Sequence, residues 1–413
     1  MLYTAYEMQK NILAGAGKIA GWQAQILNSP LNPVSYLGGS VAASALDVFA
    51  HSVEIRGKPE FGLNSVTIDG TEYPVEEMVE ARKPFGQLKH FVHAKNRNAP
   101  RLLIIAPMSG HFATLLRGTV ERMMPDHDVW ITDWRDARDV PLTGGGFDLE
   151  TYIDYIIEWL EFLGPDKDGR GAHLLAVCQP SVPAYAAAAI MGQKNHPLAP
   201  RTLTMMGGPI DTREAPTAVN DHATDKPHEW FIQNVIATVP RYYRGAGRRV
   251  YPGFLQLYSF MSMNLGSHMT SHWQMFNHLV DGDGDGADKH KEFYDEYRSV
   301  CDMTAEFYLQ TIDVVFQRHL LPKGEFNYRG MLVDPAAITR TAIMAVEGER
   351  DDISGIGQTK AALSLASKLP DENKHYYLVP EVGHYGIFNG SKWRTKIAPV
   401  LEDWIRKHDG SAS

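Results

Sequence analysis

Between residues 101 and 206 the chain alternates between two textures. Four short runs are apolar almost without interruption: Arg101-Leu-Leu-Ile-Ile-Ala106, Val129-Trp-Ile-Thr-Asp133, His173-Leu-Leu-Ala-Val177 and Thr202-Leu-Thr-Met-Met206. Their length and branching suit strands buried on both faces. Between them, Ala113 to Met124 and Asp148 to Leu163 carry apolar residues at helical spacing, and an alanine-rich helix is expected around Ala184 to Met191. Strands alternating with helices predict βαβ units and a mostly parallel sheet. The alternation lapses between about 211 and 335, an aromatic stretch of helical flavour with Trp230, Phe231, Tyr242, Tyr243, Tyr251, Phe254, Tyr258, Phe260, Trp273 and Phe276. It resumes with a strand at Thr341-Ala-Ile-Met-Ala-Val346, a helix over Gln358 to Lys368, a strand at His375-Tyr-Tyr-Leu-Val379 and a last helix from Ile397 to Lys407.

The first 60 residues read as helical, with a Pro/Ser/Gly break around Asn28 to Ser40. Val66 to Pro74 suits a β-hairpin turning at Asp69-Gly70. Glu76 to Arg82 suits a helix, and Leu88 to His93 alternates like a strand. The expected organisation is an N-terminal extension (1–85), an α/β core in two pieces (86–210 and 335–413) and a helical cap inserted between them (211–334). Among 413 residues, 44% are apolar and 22% charged, with a net charge of −9. These values fit a globular protein and disfavour nucleic acid as partner, the basic segment Arg241 to Arg249 notwithstanding. Two cysteines, Cys178 and Cys301, cannot make a disulfide framework and point to a reducing compartment. No run reaches the roughly 18 apolar residues of a membrane span. The reading is a cytoplasmic protein.

Candidate chemistry concentrates at three strand ends. In Leu174-Leu-Ala-Val-Cys-Gln-Pro180 a buried strand meets a helix with one nucleophile-capable side chain between them, the architecture of a nucleophile elbow. The usual G-x-S-x-G reads here Ala176-x-Cys178-x-Pro180; Ala is still small, and Pro falls where a missing N–H costs little. A strand-end cysteine taken alone is more often buried filler. Two further segments change that balance. Gly348-Glu-Arg-Asp351-Asp352 is an acidic turn after a strand, and Gly383-His384-Tyr-Gly386 projects a histidine between glycines. Nucleophile, acid and histidine in the chain order 178, 351, 384 follow the α/β-hydrolase order. His384 would take the thiol proton, Asp351 would hold the ring, and Cys178 would attack an ester carbonyl to form a thioester. The oxyanion would be met by the backbone N–H of Gln179 and by that of Met108 or Ser109, in the loop after the first core strand. The G-x-x-D spacing from Gly348 favours Asp351 over Asp352, and Asp133 is a weaker rival for the acid.

With these residues in place the chain resembles, nearly end to end, the intracellular polyhydroxyalkanoate (poly-3-hydroxybutyrate) depolymerases of bacteria. The likeness rests on Met1-Leu-Tyr, Trp130-Ile-Thr-Asp-Trp-Arg-Asp-Ala-Arg138, Phe147 to Tyr155, Val177-Cys-Gln-Pro180, Phe293-Tyr-Asp-Glu-Tyr297, Asp302 to Gln310, Gly348 to Gly355 and Gly383 to Gly386. The resemblance implies an α/β-hydrolase fold and a cysteine nucleophile in place of serine, with the triad on Cys178, Asp351 and His384. It also implies a cytoplasmic location on polymer granules and amorphous poly-3-hydroxybutyrate as substrate. It would make the aromatic cap a cover over a channel for an apolar polyester.

No cofactor is expected, although coenzyme A could serve as acyl acceptor in place of water. The oligomeric state is open, a homodimer being one option. Two rival readings stand beside the depolymerase. A polyhydroxyalkanoate synthase would show G-x-C-x-G at the elbow, against Ala176 and Pro180 here. A non-catalytic granule-coat protein would not need the ordered triad. Asp281-Gly-Asp-Gly-Asp-Gly286 with Glu292 satisfies a calcium-loop pattern, but Asp288 sits where an apolar residue belongs, so a solvated acidic loop is preferred. His268 and His272 have helix-face metal spacing without further ligands, and no metal is expected there.

Overall fold

A computed structural model describes residues 2–29, 39–55, 57–96, 99–166, 168–263 and 299–410. Its main sheet has eight strands: β1 (Glu76–Lys83), β2 (Gly86–Val92), β3 (Arg101–Ile105), β4 (Asp128–Trp134), β5 (His173–Val177), β6 (Thr202–Met206), β7 (Ala342–Gly348) and β8 (Lys374–Val379). They lie in the order β1-β2-β4-β3-β5-β6-β7-β8. Strands β3 to β8 are mutually parallel, while β2 runs antiparallel to β4 and β1 antiparallel to β2. This is the α/β-hydrolase sheet. The chain builds β4 on one side of β3 and then crosses back to build β5 on the other. Ligands of such sheets bind outside the carboxyl ends of the strands at that reversal. The loops after β3 and β5 are therefore brought side by side by topology alone.

The centre of the sheet is dry. Every residue of β5, β6 and β7 is buried. Helix α3 (Arg117–Met123) buries Thr119, Val120 and Met123. Helix α4 (Leu149–Leu163) lays Tyr152, Ile153, Ile156, Trp159, Leu160 and Leu163 into the core, and Asp148 caps its start by accepting the Thr151 N–H at 2.7 Å. Such a cap contributes about 1 kcal/mol. Helix α5 (Ser181–Gln193) is buried on nearly all sides, which explains its run of alanines: larger residues would hold it away from the sheet.

Two segments depart from the sequence reading. Glu76–Lys83 is an edge strand, not a helix. Its residues have helical propensity, but the Pro84-Phe85 turn folds the segment back onto β2, and ladder pairing with Gly86–Val92 overrides that weak preference. The sheet thus begins before residue 86, inside what sequence assigned to the extension. The helix expected over Gln358 to Lys368 shrinks to Ala361–Leu365. The amides of Gly357, Thr359 and Lys360 turn instead toward the buried carboxylate of Glu347 in β7, at 2.8 to 2.9 Å.

The N-terminal helices α1 (Leu2–Leu27) and α2 (Gly39–Ser52) pack on each other, and the Tyr3 hydroxyl donates to Asp302 at 2.6 Å. The hairpin turn at Asp69-Gly70 has positive φ at both residues, as a tight two-residue hairpin requires. The insertion between β6 and β7 contains α6 (Ala218–Thr224), α7 (His228–Asn234), α8 (Gly253–Met263) and α9 (Ala305–Thr311), with a three-stranded strip of Ala237–Thr238, Arg249–Tyr251 and Met303–Thr304. Within the basic segment, Arg248 is buried and donates to the carbonyls of Val140, Pro141 and Gly145, so it serves packing. Among the described residues no helix is long and apolar enough to cross a membrane. The acidic loop from Asp281 to Glu292, His268, His272, Trp273, Phe276 and the motif Phe293 to Tyr297 lie outside the described residues.

Candidate active site

β5 ends at Val177, and Cys178 follows with φ of +66°. For a residue with a side chain this left-handed conformation costs about 1 to 2 kcal/mol. Neighbouring bonds hold it in place. The Cys178 N–H donates to the Met206 carbonyl at 2.7 Å, and the Ser181 N–H donates to the Cys178 carbonyl at 3.0 Å. Pro180 stands immediately before α5, where an N–H is not needed. The close approach that G-x-S-x-G elbows make with glycine occurs here between Ser181 and Gly208: a Cβ on Gly208 would lie 2.1 Å from Ser181 Oγ. The turn aims Cys178 into a cavity of about 360 Å³, mostly apolar, bordered by Ser109, Gln179 and Gly207 from the core and by Val219, Tyr251 and Tyr308 from the insertion.

His384 begins the short turn after β8 and is 5% exposed. Its Nδ1 lies 2.8 Å from Asp351 Oδ2. Asp351 comes from the turn after β7, and its other oxygen accepts the N–H groups of Ile353 at 2.9 Å and Ser354 at 2.8 Å. Its side chain is fully buried, whereas Asp352 is exposed, so Asp351 is the carboxylate that meets the ring. Asp133, the rival, is engaged elsewhere, by Lys58 at 2.5 Å and Gln87 at 2.7 Å. The His384 ring also interacts with the Cys178 side chain. Burial opposes charge on the imidazole. The Cys178 sulfur and the Asp351 carboxylate outweigh that burial and hold the ring's pKa well above the ordinary histidine range. With Nδ1–H committed to Asp351, Nε2 is the nitrogen left to exchange a proton with sulfur. Cys301 offers a contrast: it is 1% exposed, and burial, then Asp136 and Asp302, push its thiol well up, as for an inert packing cysteine.

Two residues that sequence reasoning passed over shape this site. Gly207, the first residue after β6, has φ of +59°. A Cβ there would lie 2.7 Å from Ile387 Cδ1, 3.0 Å from His384 Cε1 and 3.2 Å from Asp351 Oδ2. Only glycine leaves room for the Asp–His pair, and its place directly after a buried strand was the one available signal. Gly207→Ala is expected to cost about 1 to 2 kcal/mol of stability for its backbone alone. Displacing the ring should lower kcat/KM about 100-fold or more. Ester kinetics beside thermal unfolding would check both; near-normal turnover would show that the pair tolerates the methyl group. Glu347 is the second residue. Its carboxylate accepts the three amides named above and the Tyr376 hydroxyl at 2.7 Å, tying down the segment that follows Asp351.

Of the residues whose amides are expected at the oxyanion, Ser109 and Gln179 border the same cavity. The Gln179 and Ser109 N–H groups donate to no acceptor among the described residues. The Met108 N–H donates to the side-chain oxygen of Gln179 at 3.0 Å.

Residues 207–409 match the family model described as PHB de-polymerase C-terminus. The chain carries a PHB depolymerase C-terminus. That domain holds Gly207, Asp351, His384 and the whole insertion, while Cys178 and the loop after β3 precede it. Together with the α/β-hydrolase sheet, the depolymerase domain makes the chain a carboxylic ester hydrolase. No curated protein matches the chain. Similar solved structures include a putative lipase from Acinetobacter baumannii AYE, at 12% identity over 81% of this chain and 93% of that one, with a TM-score of 0.40. A thermophilic esterase from Thermogutta terrifontis shares 13% over 83% and 98%, with a TM-score of 0.42. The 2-hydroxy-6-oxo-6-phenylhexa-2,4-dienoate hydrolase of Rhodococcus sp. strain RHA1 shares 10% over 80% and 99%, with a TM-score of 0.45.

Proposed function

We propose that this hydrolase cleaves the ester bonds of amorphous poly-3-hydroxybutyrate through Cys178, His384 and Asp351, passing through a thioester acyl-enzyme. The observation that carries the reading is Cys178 on its elbow, at φ of +66° beside an apolar cavity, interacting with a histidine that Asp351 orients. In this mechanism the Cys178 sulfur, its proton passed to His384 Nε2, attacks a chain ester carbonyl. The tetrahedral oxyanion is met by the Gln179 N–H and by the N–H of Met108 or Ser109. His384 returns its proton to the departing hydroxyl end of the polymer, leaving a thioester on Cys178. It then deprotonates the incoming acceptor, water or the thiol of coenzyme A, which releases 3-hydroxybutyrate or its oligomers, or the corresponding CoA thioester. The apolar lining suits a polyester whose repeat carries only a methyl branch and an ester. The polymer exists as cytoplasmic granules, so action at a granule surface is part of the proposal.

The test is product release from amorphous poly-3-hydroxybutyrate granules by the wild-type protein and by Cys178→Ala, with and without coenzyme A. Release of 3-hydroxybutyrate or oligomers by the wild type alone is expected, and the dependence on coenzyme A names the acceptor. Verified granules left intact by folded wild-type protein would remove the depolymerase reading.

A further inference from the structure

One polar contact beside the cavity runs against the chemistry expected of it. The Met108 N–H, one of the amides available to a substrate oxyanion, is already bonded to an acceptor, the side-chain Oε1 of Gln179 at 3.0 Å. The contact joins the loop after β3 to the residue that follows the nucleophile, across the sheet reversal. Gln179 precedes α5 and borders the cavity beside Cys178, so its side chain belongs to the site and not to helix packing. Met108 is 4% exposed, and a buried amide left without an acceptor costs about 1 to 3 kcal/mol. Many hydrolases can leave that acceptor to water. Here the lining is mostly apolar and offers water few partners, so an internal carbonyl fills the role.

We propose that the Gln179 side chain is a built-in occupant of the oxyanion hole, which a substrate carbonyl must displace, so that its displacement adds the same barrier to every ester the enzyme takes. The inference rests on the Cys178 mechanism above. An amide carbonyl and an ester carbonyl present similar acceptors, so exchanging one for the other at the Met108 N–H gains little by itself. The displaced glutamine must also find another partner. A chain whose neighbouring repeats fill the apolar cavity has remote binding energy to set against that exchange. A short ester has almost none. The backbone N–H of Gln179 does not depend on its side chain and remains available in every variant.

The experiment compares kcat/KM for a p-nitrophenyl ester of a short acid with kcat/KM for a soluble 3-hydroxybutyrate oligomer, in the wild type, Gln179→Ala and Gln179→Met. Met keeps the length of the side chain without its carbonyl, and it serves if the alanine variant is poorly folded. The expected result is a rise of about five- to tenfold in kcat/KM on both substrates, the worth of one neutral hydrogen bond. A trifluoromethyl ketone, whose adduct with sulfur bears an oxygen anion at the same place, should bind the variants more tightly by a similar factor. Gln179→Glu keeps the acceptor and adds charge, so its turnover should fall as pH rises through the ionisation of the new carboxyl. A kcat/KM that stays level or falls on both substrates would overturn the proposal and make the Gln179 side chain a positioning group. Failure of the underlying mechanism is separately visible: Cys178→Ala would then still hydrolyse both substrates.

Discussion

Cys178→Ala is expected to lower kcat/KM for ester hydrolysis by about 10⁴-fold or more, with the folded structure preserved. The effect is large because the side chain supplies the attacking atom and no neighbour can take its place: Cys301 is buried within the insertion, and its thiol is held protonated by burial. Residual turnover would come from the oxyanion amides and the cavity alone, as when one member of a triad is removed. Stability should change little, because alanine at φ of +66° carries the same backbone cost as cysteine and loses only a half-buried sulfur. The checks are steady-state kinetics, denaturant unfolding, and alkylation by iodoacetamide followed by peptide mass analysis. In the wild type, label should fall on Cys178 and spare Cys301, with activity lost in proportion. Full turnover in the alanine variant, or inactivation that follows label on Cys301, would sink the nucleophile assignment.

Asp351→Asn should reduce kcat about 10³- to 10⁴-fold, the scale seen when the acid of a Ser-His-Asp triad is made an amide. The asparagine oxygen can still accept the N–H groups of Ile353 and Ser354, so the turn should survive. Its NH₂ group, however, would face His384 Nδ1 and force the proton onto Nε2, the nitrogen that must receive the thiol proton. The pH profile carries a second signature. In the wild type the His384 pKa lies well above the ordinary range: burial lowers it, but Cys178 and Asp351 raise it by more. The protonated ring is therefore present below that raised value and lost as pH rises through it. Removing the Asp351 charge removes one of the raising influences, so the alkaline limb of kcat/KM should move to lower pH. Asp352 is exposed, and Asp352→Asn should stay within about twofold of wild type. Equal losses from the two aspartates, or an unmoved alkaline limb, would reject Asp351 as the orienting acid.

The legibility of the fold followed burial. β3 to β7 were readable because strands covered on both faces must be apolar throughout, and no water-facing residue interrupts the signal. The edge strand Glu76–Lys83 was read as helix because its outward residues are free to be charged, and Glu, Met, Ala, Arg and Lys all favour helix locally. Gln358 to Lys368 failed for a related reason. Its pattern was helical, but a buried carboxylate on β7, distant in sequence, captured the amides that would have begun the helix. At the site, Cys178 and His384 were nameable because strand-end turns leave local marks: a small residue before the elbow, glycines around the histidine. The choice between Asp351 and Asp352 rested on spacing alone until the two side chains were seen to differ in burial and in contact with the ring.

What the sequence determined by itself was therefore the sheet's central strands, the strand-end positions of Cys178, Asp351 and His384, and their chain order, since each depends on patterns a few residues long. What only the tertiary structure decided was every relation between distant segments. Gly207 lies against the Asp–His pair because β6 ends beside β7, whose following turn carries Asp351. The Met108 N–H is bonded to Gln179 because the sheet reverses between β3 and β5 and lays their loops together. Neither contact leaves a trace in local composition. A glycine after a strand and a glutamine after a cysteine are ordinary in isolation, and their roles arise only when packing brings in a neighbour more than 70 residues away, the separation of Met108 and Gln179 being 71.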